Sequence, residues 1–199
     1  MSHVDFYFDF SSPFAYLGST QIEKVAERAG ATMRWKPMFL GGVFKQVGTP
    51  MVPFFELSEQ KRKYISQDMF RWASHWKIPF TFPSNFPMMT VKPLRLVLTL
   101  DDPGPFIHRV MAAYWAEDQD IAHAEVLAQC CLDVGLDPSL LERTADPAVK
   151  QQLLDATDEA VKNGVFGAPT SIVDDHVFWG QDRLQMVEKA LTGWKPPTL

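Results

Sequence analysis

Strand-forming segments stand only at the two ends of this 199-residue chain, and nearly everything between them has helical composition. Residues 3–10, His-Val-Asp-Phe-Tyr-Phe-Asp-Phe, are rich in aromatic and β-branched side chains and short enough for a strand, which places Asp5 and Asp9 near its ends or on its less buried face. Ser12 and Pro13 read as a helix N-cap followed by proline at the first helical position. Leu17, Ile22, Val25 and Ala29 then carry an amphipathic helix to Gly30. Residues 32–37 alternate apolar Met33 and Trp35 with cations and form a second strand, so the chain opens as a βαβ unit.

At the other end, Gly167-Ala168-Pro169-Thr170 leads into a strand over 171–173, a turn at Asp174-Asp175 and a strand over 176–179, with a last helix from Arg183 to Leu191. Between the two halves, residues 39–55 hold Gly41, Gly42, Gly48, Pro50 and Pro53 and read as mostly irregular, a kind of loop that is usually functional. Ile65, Met69, Trp72 and Trp76 share one face of a helix starting near Ser58. Residues 92–100, 106–115 and 122–134 have helical composition, and Asp137-Pro138 and Asp146-Pro147 each look like a cap plus a first-turn proline, the last of these helices ending at Gly164. A βαβ half and a ββα half separated by helices predict an α/β protein of thioredoxin-like fold interrupted by an all-helical insertion. The boundaries expected are 1–45 and 163–199 for the thioredoxin-like domain and 46–162 for the insertion.

Charge and cysteine usage narrow the function. A net charge of -5 leaves no general basic field to draw the protein onto nucleic acid or anionic lipid. No charged segment precedes an apolar one at the N-terminus, and no apolar run reaches membrane-span length, so the expectation is a cytoplasmic protein with neither nucleic acid nor membrane as partner. Cys130 and Cys131 are neighbours in an apolar helical pattern. A disulfide between them would be strained, and they read as small core residues. The five histidines show no paired ligand spacing, and no metal is expected.

Four features carry candidate chemistry. Ser12 stands where a strand ends and a helix begins, the place where open α/β sheets bind ligands and where backbone donors and the helix dipole favour an anion or thiolate; most serines in such positions only cap. Pro169, directly ahead of a strand, is a candidate cis-proline, against the commoner role of a simple strand entry. Lys61, Arg62 and Lys63 crowd the first turns of a helix, where the dipole disfavours cations, and are either a carboxylate-binding patch or a solvated face. Gln181 and Asp182 cap the last helix, or hold a ligand ammonium group if they face the Ser12 end of the sheet.

The segment Asp9-Phe10-Ser11-Ser12-Pro13-Phe14-Ala15-Tyr16-Leu17 resembles the opening of the bacterial 2-hydroxychromene-2-carboxylate isomerases. Residues 37–44 (Pro-Met-Phe-Leu-Gly-Gly-Val-Phe), Phe82-Pro83, residues 164–170 and residues 179–184 are similar to further motifs of that family, in its order. Kappa-class glutathione transferases share the plan, and both groups resemble the DsbA-like branch of thioredoxin folds. The resemblance implies glutathione as cofactor and Ser12 as the catalytic serine at its sulfur. Ala168 and Pro169 would meet its cysteinyl part, Gln181 and Asp182 its γ-glutamyl end, and Lys61 its glycine carboxylate. Thr49 stands where relatives often carry asparagine, and Asn85 would face the substrate. The same resemblance implies a small aromatic carboxylate substrate, a homodimer, and a step in naphthalene-type degradation; Phe8, Phe10, Phe39, Phe44 and Trp179 would give such a substrate an apolar wall, although core packing is the commoner role for most of them. A kappa-like transferase or peroxidase and a non-catalytic binding protein are the alternatives. The absence of a C-x-x-C at residues 11–14 argues against a dithiol oxidoreductase.

Overall fold

The computed structural model describes residues 2–197. The strands β1 (His3–Phe8), β2 (Thr32–Pro37), β3 (Thr170–Val173) and β4 (His176–Trp179) form one mixed sheet in the order β2-β1-β3-β4. β1 and β2 run parallel, from His3 opposite Thr32 to Phe8 opposite Pro37, and β3 pairs antiparallel with β1 and with β4. Alternation along β1 decides which core each residue joins. Val4, Phe6 and Phe8 enter the main core, while Tyr7 enters a smaller cluster with Met38, Val43, Ala160 and Val165.

The helices are α1 (Pro13–Arg28), α2 (Leu40–Val47), α3 (Glu59–Trp76), α4 (Val91–Val97), α5 (Gly104–Trp115), α6 (Ala124–Asp133), α7 (Pro147–Lys162) and α8 (Leu184–Leu191). The main core holds buried residues of α1, α4, α5, α6 and α8, and α2 and α7 contribute Val43 and Ala160 to the smaller cluster. Trp115 of α5 is fully buried and donates its indole N–H to the Phe10 carbonyl at 2.8 Å, which ties the helical segment to the loop after β1. The result is a mixed sheet carrying helices from the segment between its two halves, as the thioredoxin-like expectation requires.

Several expectations need correction. Residues 39–55 are not mostly irregular: they contain α2 and a 3-10 turn over Pro53–Glu56. Gly41 and Gly42 lower helix propensity, yet a Cβ at Gly42 would lie 3.1 Å from Thr157 Cγ2 of α7, so the close packing of α2 on α7 favours a glycine there. Asp137-Pro138 opens a 3-10 helix over Pro138–Ala145, not an α-helix. The last helix begins as a 3-10 turn over Gln181–Arg183 and becomes α-helical at Leu184. Asp9 does stand just beyond the end of β1, but it is 1% exposed and not on an open face.

Candidate active site

Ser12 caps α1 in extended backbone conformation and is buried. Its hydroxyl accepts from the Ala15 N–H at 3.1 Å and donates to the Ala168 carbonyl at 2.9 Å. Capping is therefore only half of what it does: the same oxygen joins the start of α1 to the loop ahead of β3, where the Ala168-Pro169 peptide is cis. The first helical turn offers few other donors. Pro13 has no N–H, Ala15 is taken by Ser12, and Tyr16 donates to the Ser12 carbonyl at 3.1 Å. The Phe14 N–H is left as the donor at this helix end without a protein partner among the described residues.

Behind Ser12 lies Asp9. Its Oδ1 accepts from the Ser11 N–H at 3.0 Å, the Ser11 hydroxyl at 3.0 Å and the Thr90 hydroxyl at 2.6 Å, and its Oδ2 from the Leu40 N–H at 2.8 Å. Burial pushes its carboxyl pKa above the usual range, opposed by these hydrogen bonds. It was not among the residues singled out from sequence.

Ser11 and Ser12 open onto a cavity of about 360 Å³. Its walls are Leu40 and Phe44 of α2, Met51 to Phe54, Ile65 and Met69 of α3, the loop residues Phe82, Phe86 and Pro87, and Phe166 to Ala168 with Trp179. No lining residue carries a charge, and the aromatic rings contact one another, with Phe82 and Phe86 centroids 5.2 Å apart and Phe166 and Trp179 also 5.2 Å apart. Such a wall suits a flat apolar group.

Of the residues expected to share a site, Ser12, Thr49 and Ala168 line this cavity. Gln181 and Asp182 line a separate cleft between α1, α3 and α8, and the Gly180 N–H just before them donates to the Pro169 carbonyl at 2.9 Å. Gln181 is buried, and Asp182 is exposed and paired with Arg183 at 2.6 Å. Lys61 is exposed on the first turn of α3 and lines neither space, and Lys63 is likewise exposed. Asn85 is not among the residues lining the cavity, and its side-chain amide donates to Asp120 at 3.2 Å. Of the five aromatics weighed between a substrate wall and core packing, Phe44 and Trp179 line the cavity, while Phe8 and Phe10 are fully buried in the main core and Phe39 packs beside it. The Met51–Phe54 wall is not among the residues the sequence pointed to, although a Phe54-Phe55 pair directly after Pro53 in a long connection was the available signal; Phe82 belongs to a motif on which the resemblance rests. Among the described residues, no group of three His, Cys, Asp or Glu side chains could hold a metal ion, and no helix is long and apolar enough to cross a membrane.

A family model for the DSBA-like thioredoxin domain matches residues 3–192. The chain belongs to that family, in its 2-hydroxychromene-2-carboxylate isomerase branch. A 2-hydroxychromene-2-carboxylate isomerase of Sphingobium xenophagum is 34% identical over 94% of this chain and 97% of its own length. The solved structure of a 2-hydroxychromene-2-carboxylate isomerase superposes with a TM-score of 0.86 at 30% identity, covering 95% of this chain and 94% of that one. Glutathione S-transferase kappa 2 of Caenorhabditis elegans is 31% identical over 92% of this chain and 89% of its own. Membership in this branch makes the chain an isomerase-family enzyme whose serine stands on a DsbA-like scaffold.

Proposed function

We propose that the protein is a glutathione-dependent isomerase interconverting 2-hydroxychromene-2-carboxylate and trans-o-hydroxybenzylidenepyruvate. The observation that carries this reading is the Ser12 hydroxyl, buried at the N-terminus of α1, bonded to the Ala168 carbonyl and opening onto an uncharged aromatic cavity. When bound, glutathione supplies a thiolate that adds reversibly to the conjugated side chain, so that a double bond becomes a rotating single bond and is then restored.

The chain's own groups fit that chemistry. Ser12 releases the Ala168 carbonyl and turns its O–H to the sulfur, beside the spare Phe14 N–H. Lowering a thiol pKa of about 8.5 by two units requires about 2.7 kcal/mol of preference for the thiolate. A hydrogen bond to a charged group contributes roughly 1.5–3 kcal/mol and a helix N-terminus roughly 0.3–1 kcal/mol, which together reach that figure. The loop at Ala168 and Pro169 borders the sulfur position, Thr49 stands across the cavity, and Asp182 holds the γ-glutamyl ammonium in the adjoining cleft with Gln181. Lys61, one turn before the cavity-lining Ile65, attracts the glycine carboxylate from the rim. The phenylalanine wall excludes water and takes the substrate ring. The reading includes a homodimer.

The kappa transferase relative favours a second reading, in which the same thiolate is consumed by an electrophile. Absorbance of 2-hydroxychromene-2-carboxylate, followed with and without glutathione while free thiol is counted, separates the two. Equilibration that requires glutathione and leaves the thiol count unchanged supports the isomerase. Thiol loss supports the transferase, and glutathione binding without conversion removes this substrate.

A further inference from the structure

We infer that Asp9 is a positioning residue that holds Ser12 and the cavity walls in one fixed arrangement. It is the only charged side chain among the buried polar residues of the described chain. Carrying a carboxylate out of water costs several kcal/mol, which an apolar or amide side chain would avoid, so a packing role alone does not explain its chemistry.

The directions of its hydrogen bonds show what the carboxylate does. Two of its partners are backbone N–H groups that can only donate, Ser11 on Oδ1 and Leu40 on Oδ2, and the Ser11 and Thr90 hydroxyls lie within hydrogen-bond distance of Oδ1. Ser11 precedes Ser12 in the turn, and the Ser12 N–H itself donates to the Asp9 carbonyl at 3.2 Å. Leu40 opens α2 and lines the cavity, and Thr90 follows the Phe86-Pro87 wall and precedes α4. One side chain thus ties together three segments that border the same space, separated from it by 2, 31 and 81 residues in sequence. An amide at this position would turn an NH2 toward a donor and break the set.

The role builds on the proposed contact between Ser12 and the glutathione sulfur, and its test is arranged to fail separately. Asp9→Asn and Thr90→Val are compared with Thr90→Ser, which keeps the hydroxyl; Thr90→Val keeps the charge and shape, and decides the matter if Asp9→Asn does not fold. A misplacement of about 1 Å costs up to about 100-fold in rate, so kcat should fall between ~10- and ~100-fold in Asp9→Asn and Thr90→Val. The thiolate absorbance of bound glutathione near 240 nm should weaken, the KM for glutathione should stay within ~2-fold, and Thr90→Ser should restore kcat. Folded variants that keep wild-type kcat and thiolate absorbance overturn the inference. If wild-type protein itself shows no thiolate and no glutathione-dependent turnover, the Ser12 reading fails instead. Amide exchange then decides on Asp9. Faster exchange at Ser11, Ser12 and Leu40 in the variants, with β3 unchanged, upholds it, and unchanged exchange at those amides overturns it.

Discussion

The Ser12 hydroxyl joins the start of α1 to the Ala168 carbonyl across 156 residues of sequence, at 2.9 Å. The same oxygen accepts from Ala15, so one atom closes a helix end and anchors the loop ahead of β3. Ser12→Ala removes both bonds. Loss of a serine cap costs typically about 1 kcal/mol of stability, read as a lower midpoint in urea. Loss of the group at the sulfur should lower kcat about 100-fold or more, since a single oxyanion-type donor carries about 2.7–4 kcal/mol. A variant with the stability loss but full turnover would make Ser12 a cap alone.

Gly167 has no room for a side chain. A Cβ there would lie 2.7 Å from Trp179 Nε1 and 3.3 Å from Trp179 Cε2, so Gly167→Ala must push the indole aside. Trp179 packs on Phe166 at the cavity wall and is 53% exposed, so it can move without disturbing the core. The KM for the aromatic substrate should rise several-fold while kcat stays near wild type and the thermal midpoint shifts by less than ~2 °C. A reduced kcat at unchanged KM would show that the displacement reaches Ser12 through Ala168.

What was legible in the sequence was local. The strand alternation of β1 and β2, the Ser12-Pro13 cap and the Asp174-Asp175 turn are written within a few residues of where they act. Features set by partners distant in the chain were not. Glycines argue against a helix at α2 until Thr157 is seen against Gly42, and the burial of Asp9 depends on Thr90, 81 residues away. Nothing near Asn85 in sequence signals its hydrogen bond to Asp120, 35 residues away. Core packing is the commoner expectation for most of the five aromatics, and Phe8 and Phe10 meet it; that Phe44 and Trp179 are the ones left at the cavity depends on partners distant in the chain.

Cys130 lies in the core, and burial pushes its thiol up to about 11, with the nearby Arg109 opposing the shift. At pH 8 its thiolate is about one part in a thousand, so an aromatic disulfide reagent should find neither Cys130 nor its buried neighbour Cys131 until denaturant is added, when both react. The sign of the linkage follows. The folded state holds the proton more tightly than the unfolded chain, whose thiol has the ordinary value of 9.0. The contribution to stability is therefore complete below pH 9 and declines as pH rises toward 11. Urea midpoints at pH 8, 9.5 and 10.5 should fall in that order, and less so for Cys130→Ala than for the wild type.

Asp182 tests whether the cleft beside Pro169 belongs to the same ligand as the Ser12 cavity. Its carboxylate is exposed and paired with the adjacent Arg183 at 2.6 Å, and exposed pairs of this kind are worth about 0–1 kcal/mol, so the bond exchanges readily for a ligand ammonium group. Gly180 stands at φ 106°, a conformation that favours glycine and sets the turn from which Asp182 projects. Asp182→Asn should weaken glutathione about tenfold, or about 1.4 kcal/mol, by calorimetry. The dipeptide Cys-Gly lacks the γ-glutamyl group, and its weaker binding should be the same in wild type and variant. Equal loss for both ligands would mean that Asp182 acts through the fold of the turn, and no loss for either would confine the ligand to the aromatic cavity.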